Sequence, residues 1–79
     1  MNTLIDIPKA ARHECDYILV EMTSGGIIRF PISISPRLIG ATTEELSQIE
    51  LSPLGLHWPL LDEDLSIRGI LAAKITELR

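Results

Sequence analysis

From Asp16 to Met22, apolar Ile18, Val20 and Met22 alternate with Tyr17, Leu19 and Glu21. This is the period of two expected of a strand with one buried face. Thr23-Ser24-Gly25-Gly26 follows, and its glycines supply the positive φ that a tight hairpin turn needs. Ile27 to Ile32 then returns with Ile28, Phe30 and Ile32 on one face and Ile27 and Arg29 on the other. Pro31 falls on the outer set and lacks an N–H, which places the end of this strand at an edge or bulge. A twisted antiparallel hairpin is predicted, with Ile18, Val20, Ile28 and Phe30 sharing its inner face.

The flanking segments are read in the same way. Thr3 to Ile7 alternates briefly and predicts a strand stopped by Pro8. Lys9 to Glu14 is polar apart from Ala10-Ala11 and too short for an unsupported helix, so it predicts a loop or distorted strand. Ser33 to Gly40 is an irregular connection with Leu38 and Ile39 pointing inward. Thr42 and Glu45 have the spacing of a capping box, with Ala41 and Leu46 in the staple positions. They predict a short helix running to about Gln48 or Ile49. Ile49 to Leu51 and Gly55 to Trp58 predict two more extended segments, ending near Pro53 and Pro59. Ile67, Ile70, Leu71, Ile75 and Leu78 then form one apolar helical stripe with Ser66 as N-cap. This stripe is expected to pack on the inner face of the hairpin. The architecture is a single α+β domain over residues 1–79: a small antiparallel sheet built on a β-hairpin, a short middle helix and a C-terminal helix on the sheet.

Composition narrows the functional classes. A chain this short buries only about 60% of its unfolded surface, and its single cysteine, Cys15, rules out an internal disulfide. A lone thiol fits a reducing compartment, and the expected location is cytoplasmic. No apolar run has the length of a membrane span. The net charge of −4, with the basic residues dispersed along the chain, argues against direct nucleic-acid binding and favours a basic protein partner. A hydrophobic share of 46%, mostly Ile and Leu, supplies a core and an apolar contact with a second chain, either another protein or another copy.

Candidate chemistry concentrates between Gly55 and Ile67, which holds the only Trp, His57 and the acids Asp62, Glu63 and Asp64. The acids have the oxygen donors of a Mg²⁺ or Ca²⁺ site, but no ligand-bearing loop follows them. The plainer expectation is that they complement the N-terminus of the last helix. His57 is read as half-buried and bonded to a carboxylate or carbonyl. As a general base it would need Asp62 to orient it and Ser24 or Ser66 as nucleophile, and no nucleophile motif supports this. Trp58 alternates with His57 and is expected in the core, or as the anchor of a partner. His13-Glu14-Cys15 has too few ligands for a structural zinc site, and Cys15 reads as an inert small hydrophobe leading into the strand.

The stretch Gly55-Leu56-His57-Trp58-Pro59-Leu60-Leu61-Asp62-Glu63-Asp64-Leu65-Ser66 resembles the closing motif of the bacterial DUF2442 family, a domain of unknown function. Members carry a hairpin, then Pro-Arg-Leu, Ala-Thr, and Ile-His-Trp-Pro with Leu-Asp-Glu-Asp-Ile-Ser. Here Pro36-Arg37-Leu38 and Ala41-Thr42 stand in the same order, and the resemblance runs over roughly residues 16 to 73. The turn differs, with Ser24-Gly25-Gly26 in place of Asp-Gly. The family has no established reaction, and many members resemble one half of a two-gene unit whose other half is toxin-like. The resemblance therefore implies a partner-binding role, as an antitoxin-like subunit, while the residues themselves point to a non-enzymatic chain with no cofactor and no metal. Arg37, His57, Trp58, Asp62, Glu63 and Asp64 are the expected contact residues. A small-ligand or metal-ion sensor using His57 and the three acids is the alternative.

Overall fold

Ile18, Val20 and Met22 are all buried and Phe30 joins them from the adjacent strand, as the alternation requires. The computed structural model describes residues 6–77. In it, β2 (Tyr17–Met22) and β3 (Ile27–Pro31) form the expected hairpin, and Gly25 takes a positive φ in its turn. Ile32 donates to Asp16 O and Met22 donates to Gly26 O. By the antiparallel alternation, the nitrogen of Pro31, opposite Tyr17, therefore faces the open edge, where no N–H is needed.

Two corrections concern the N-terminal half. β1 (Pro8–Glu14) is a strand paired along β2, with a bulge between Pro8 and Ala10. The distorted-strand option for this segment was the right one. The strand predicted before Pro8 is not found at Asp6 and Ile7, which lie outside any strand; Thr3 to Ile5 lie outside the described residues. β1 lacks an apolar alternation because its hydrogen bonds to β2, rather than a buried face, hold it in place. Cys15 does not lead into the strand as a buried hydrophobe. It is exposed in the two-residue β1–β2 turn at φ 54°.

A 3-10 turn (Ile32–Ile34) opens the connection to α1 (Thr43–Ser47). Leu38 is fully buried there, whereas Ile39 is exposed, against expectation. The capping box is complete: the Glu45 N–H donates to Thr42 Oγ1 at 3.1 Å and the Thr42 N–H donates to Glu45 Oε1 at 2.8 Å.

The second half folds into its own meander of β4 (Glu50–Ser52), β5 (Gly55–Trp58) and β6 (Glu63–Ser66), followed by α2 (Ile67–Glu77). The class is α+β, with the six strands among the described residues divided between two three-stranded antiparallel sheets rather than gathered in one. The sequence pattern gives no sign of β6, because Asp62-Glu63-Asp64 is poor in β-formers. Ser66 does cap α2, its Oγ accepting from the Gly69 N–H at 2.9 Å. Ile70 is buried in the same cluster as Ile18, Val20 and Phe30, and Ile67 packs against that cluster. Leu71 instead stays 42% exposed. The side chains of Ile75 and Leu78 lie outside the described residues.

Candidate functional site

The motif residues separate by strand parity. On β5, Leu56 and Trp58 turn inward and Gly55 and His57 outward. Trp58 is fully buried and its Nε1–H donates to Leu46 O at 3.2 Å, so β5 is tied to α1. The indole thus has no surface to offer a partner, and the core expectation for it holds. Opposite Trp58 stands Glu63. One oxygen of its carboxylate accepts from the buried Ser35 hydroxyl and the other accepts the Asp64 N–H at 3.1 Å. Arg37 reaches the same region, its Nη1 donating to Leu61 O at 3.3 Å while its N–H donates to Ser35 Oγ at 3.3 Å. The Pro36-Arg37-Leu38 segment and the Leu61-to-Asp64 segment, far apart in sequence, are therefore joined by hydrogen bonds. Glu63 and Arg37 work largely as fastenings of the fold.

The acids do not sit at a helix N-terminus. Asp62 lies in the turn before β6 and Glu63 and Asp64 lie within that strand, while the first turn of α2 holds no acid, and this corrects the helix-capping expectation. Asp62 takes φ 51° in the β5–β6 turn, a left-handed conformation that Asp tolerates better than most residues. Asp64 points outward beside His57, its register partner. His57 Nδ1 donates to Asp64 Oδ1 at 2.8 Å, with the His57 side chain 34% exposed and that of Asp64 80% exposed. The expected carboxylate partner of His57 is thus present, but it is Asp64 and not Asp62. Of the six expected contact residues, His57 and Asp64 pair on the outward face, Asp62 is exposed in the turn beyond them, and Glu63 is turned inward.

Around this pair lies a groove of about 250 Å³ lined by Ser52, Leu54, Gly55, Leu56, His57, Asp64, Leu65 and Ser66. A Cβ at Gly55 would stand 2.4 Å from Leu65 O and 2.9 Å from Ser66 Cα, so only glycine permits this approach of β5 to β6. Ser52 and Ser66 are held by local backbone bonds: Ser52 Oγ accepts the Gly55 N–H at 3.1 Å, and Ser66 Oγ caps the helix. Neither hydroxyl is bonded to His57. Leu54, in the β4–β5 turn, is 79% exposed and also lines a second groove with Asp6, Pro53, Ser66, Ile67 and Arg68. Leu54 was missed from the sequence because an exposed leucine is visible only once the turn around it is placed.

His13 Nε2 donates to Cys15 O. Among the described residues no group of three or more His, Cys, Asp or Glu side chains is arranged to hold a metal ion, and no helix is long and apolar enough to cross a membrane. Asp6 holds the β2–β3 turn. Its carboxyl lies below the ordinary value of 3.8, chiefly because the Ser24 N–H donates to it, with the Ser24 and Thr23 hydroxyls adding to the effect and desolvation opposing it.

A family model described as "Protein of unknown function (DUF2442)" matches residues 8–76. The chain belongs to the DUF2442 family. Among solved structures, this DUF2442 chain is similar to a protein of unknown function from Rhodospirillum rubrum, at 31% identity and a TM-score of 0.78, covering 85% of this chain and 86% of that one. It is also similar to an uncharacterised protein from Chromobacterium violaceum, at 25% identity and a TM-score of 0.76, covering 86% of this chain and 66% of that one. No curated protein matches it. The DUF2442 motif residues fall into two sets here, one spent on internal fastening and one, His57 with Asp64, facing outward.

Proposed function

We propose that this DUF2442 chain is a non-enzymatic, cytoplasmic protein-binding domain, and that its role is that of an antitoxin-like subunit of a two-protein unit. The observation that carries the reading is Leu54: a large apolar side chain 79% exposed on a tight turn, standing between two grooves. An isolated exposed leucine is ordinary on a protein surface, but one set between recesses has the form of an interface anchor. The chemistry beside it suits recognition better than turnover. His57 is oriented by Asp64, yet the nearby serine hydroxyls are spent on backbone bonds, which leaves the imidazole without a paired nucleophile. The second reading, a small-ligand or metal-ion sensor on His57 and the three acids, is weaker because Glu63 is turned inward to Ser35 and Asp62 lies in the turn.

The test is recovery of the tagged chain from its native host at native expression, followed by sedimentation of the purified material. One protein is expected at fixed stoichiometry, and Leu54→Ser is expected to lose it while keeping the wild-type fold. A chain that sediments alone and carries no stoichiometric companion would refute the proposal.

A further inference from the structure

Glu50 and Asp64 are each a register partner of His57, so an acid–imidazole–acid row crosses all three strands of the second sheet on its outward face. We infer that this row and the adjoining groove receive a basic side chain, arginine or lysine, from the partner protein. The inference rests on the partner-binding reading and specifies its contact.

Charge sets the sign of the ligand. The row carries two carboxylates, no Lys or Arg lines the groove, and the chain as a whole is at −4. A phosphate or carboxylate would be repelled, while a cation is attracted.

Hydrogen bonding sets its type. His57 Nδ1 carries the proton it donates to Asp64 Oδ1. In the neutral ring, Nε2 is then an acceptor, and Asp64 keeps a second oxygen for the solvent side. Together with Glu50 these groups offer only acceptors, which matches the donor-only heads of Arg and Lys.

Shape sets its size. At about 250 Å³ the groove falls below the roughly 300–1,000 Å³ of small-molecule sites and suits one long side chain. Leu54 gives an apolar side for the methylene stem, while the charged head reaches Asp64, which lines the groove, with Glu50 beyond it across His57.

The full-length chain, ¹⁵N-labelled, is titrated with N-acetyl-arginine methylamide, N-acetyl-lysine methylamide and, as control, N-acetyl-glutamate methylamide. Saturable amide shifts are expected at Glu50, Leu54 to His57 and Asp64 with the basic compounds alone, and are expected to vanish in Asp64→Asn. Shifts scattered over the surface, or unchanged in Asp64→Asn, would overturn the inference. The recovered partner is then bound to wild type and to Glu50→Gln/Asp64→Asn, both exposed positions whose amide spectra report an intact fold. A loss of about tenfold or more in affinity is expected. Equal affinity would overturn this contact while leaving the partner reading in place, and so would binding of the free amino-acid derivatives with an indifferent partner. Absence of any stoichiometric partner would remove the partner reading and this inference with it.

Discussion

Removing the Ser35 hydroxyl tests whether the two motif segments are fastened as described. Ser35 is buried and donates to the Glu63 carboxylate, which lies on an edge strand opposite the fully buried Trp58. A hydrogen bond to a charged group contributes about 1.5–3 kcal/mol, and Ser35→Ala also leaves one carboxylate oxygen without that donor. At about 0.05–0.15 kcal/mol per residue, a domain of 79 residues has roughly 4–12 kcal/mol in all. The loss is therefore a sizeable fraction of the total. For a domain of this size about 1 kcal/mol moves the melting temperature by about 4–8 °C, so the expected fall is about 6–24 °C. Urea unfolding of wild type, Ser35→Ala, Glu63→Ala and the double variant closes a thermodynamic cycle with an expected coupling of about 1.5–3 kcal/mol. A coupling below about 0.5 kcal/mol would show that the two segments hold together without this bond.

Three further outcomes follow from the packing and the charges. Ile70→Ala, at a buried position shared with Ile18 and Phe30, is expected to cost about 2–5 kcal/mol in urea unfolding, and a cost under about 0.5 kcal/mol would put it on the surface. Gly55→Ala forces the β5 and β6 backbones apart, since its Cβ would stand 2.4 Å from Leu65 O; the expected loss exceeds about 2 kcal/mol, and an unchanged urea midpoint would contradict that close approach. Asp6 has its carboxyl lowered below 3.8 in the fold, so its contribution is fully present above the unfolded value and is lost as pH falls through the folded one. The urea-midpoint difference between wild type and Asp6→Asn is therefore expected to hold near pH 5 and to shrink only as the pH falls below 3.8, and a pH-independent difference would contradict this sign.

Three segments with a strong local signal of their own are predicted correctly, whereas the brief alternation before Pro8 gives no strand at Asp6 and Ile7. The β2–β3 hairpin shows its alternation, α1 its reciprocal cap, and Gly55 to Trp58 its flanking turn residues, and all three stand at or close to the predicted bounds. Segments held by their neighbours gave no such signal. Lys9 to Glu14 is a strand because β2 supplies its hydrogen-bond partners, and Glu63 to Ser66 is a strand because the turn at Asp62 folds it back on β5. Missing β6 concealed the site as well. The pairing of His57 with Asp64 is a cross-strand relation, so a reading without the strand assigns the acids to helix capping and leaves Asp62 as the carboxylate that would orient His57. Leu71 shows the limit of periodicity. A stripe marks which residues share a helix face, but how much of that face is covered depends on β5 and β6, the elements beside α2.

The division into two meanders has a kinetic consequence. In each sheet, strands adjacent in sequence are adjacent in space, so every ladder can close across a short loop. Docking of the two halves, through Ile70 of α2 against the hairpin core, Ser35 against Glu63 and Arg37 against Leu61, then joins parts of the chain that are distant in sequence. Such local connectivity lowers the loop-closure entropy of the rate-limiting step, and folding is expected towards the fast end of the range for mixed α/β domains. Each sheet alone is a three-stranded unit with one apolar face, so each half should form and dissolve until the other covers it. Substitutions at the docking contacts would then act mainly on the unfolding rate, and substitutions within a hairpin mainly on the folding rate.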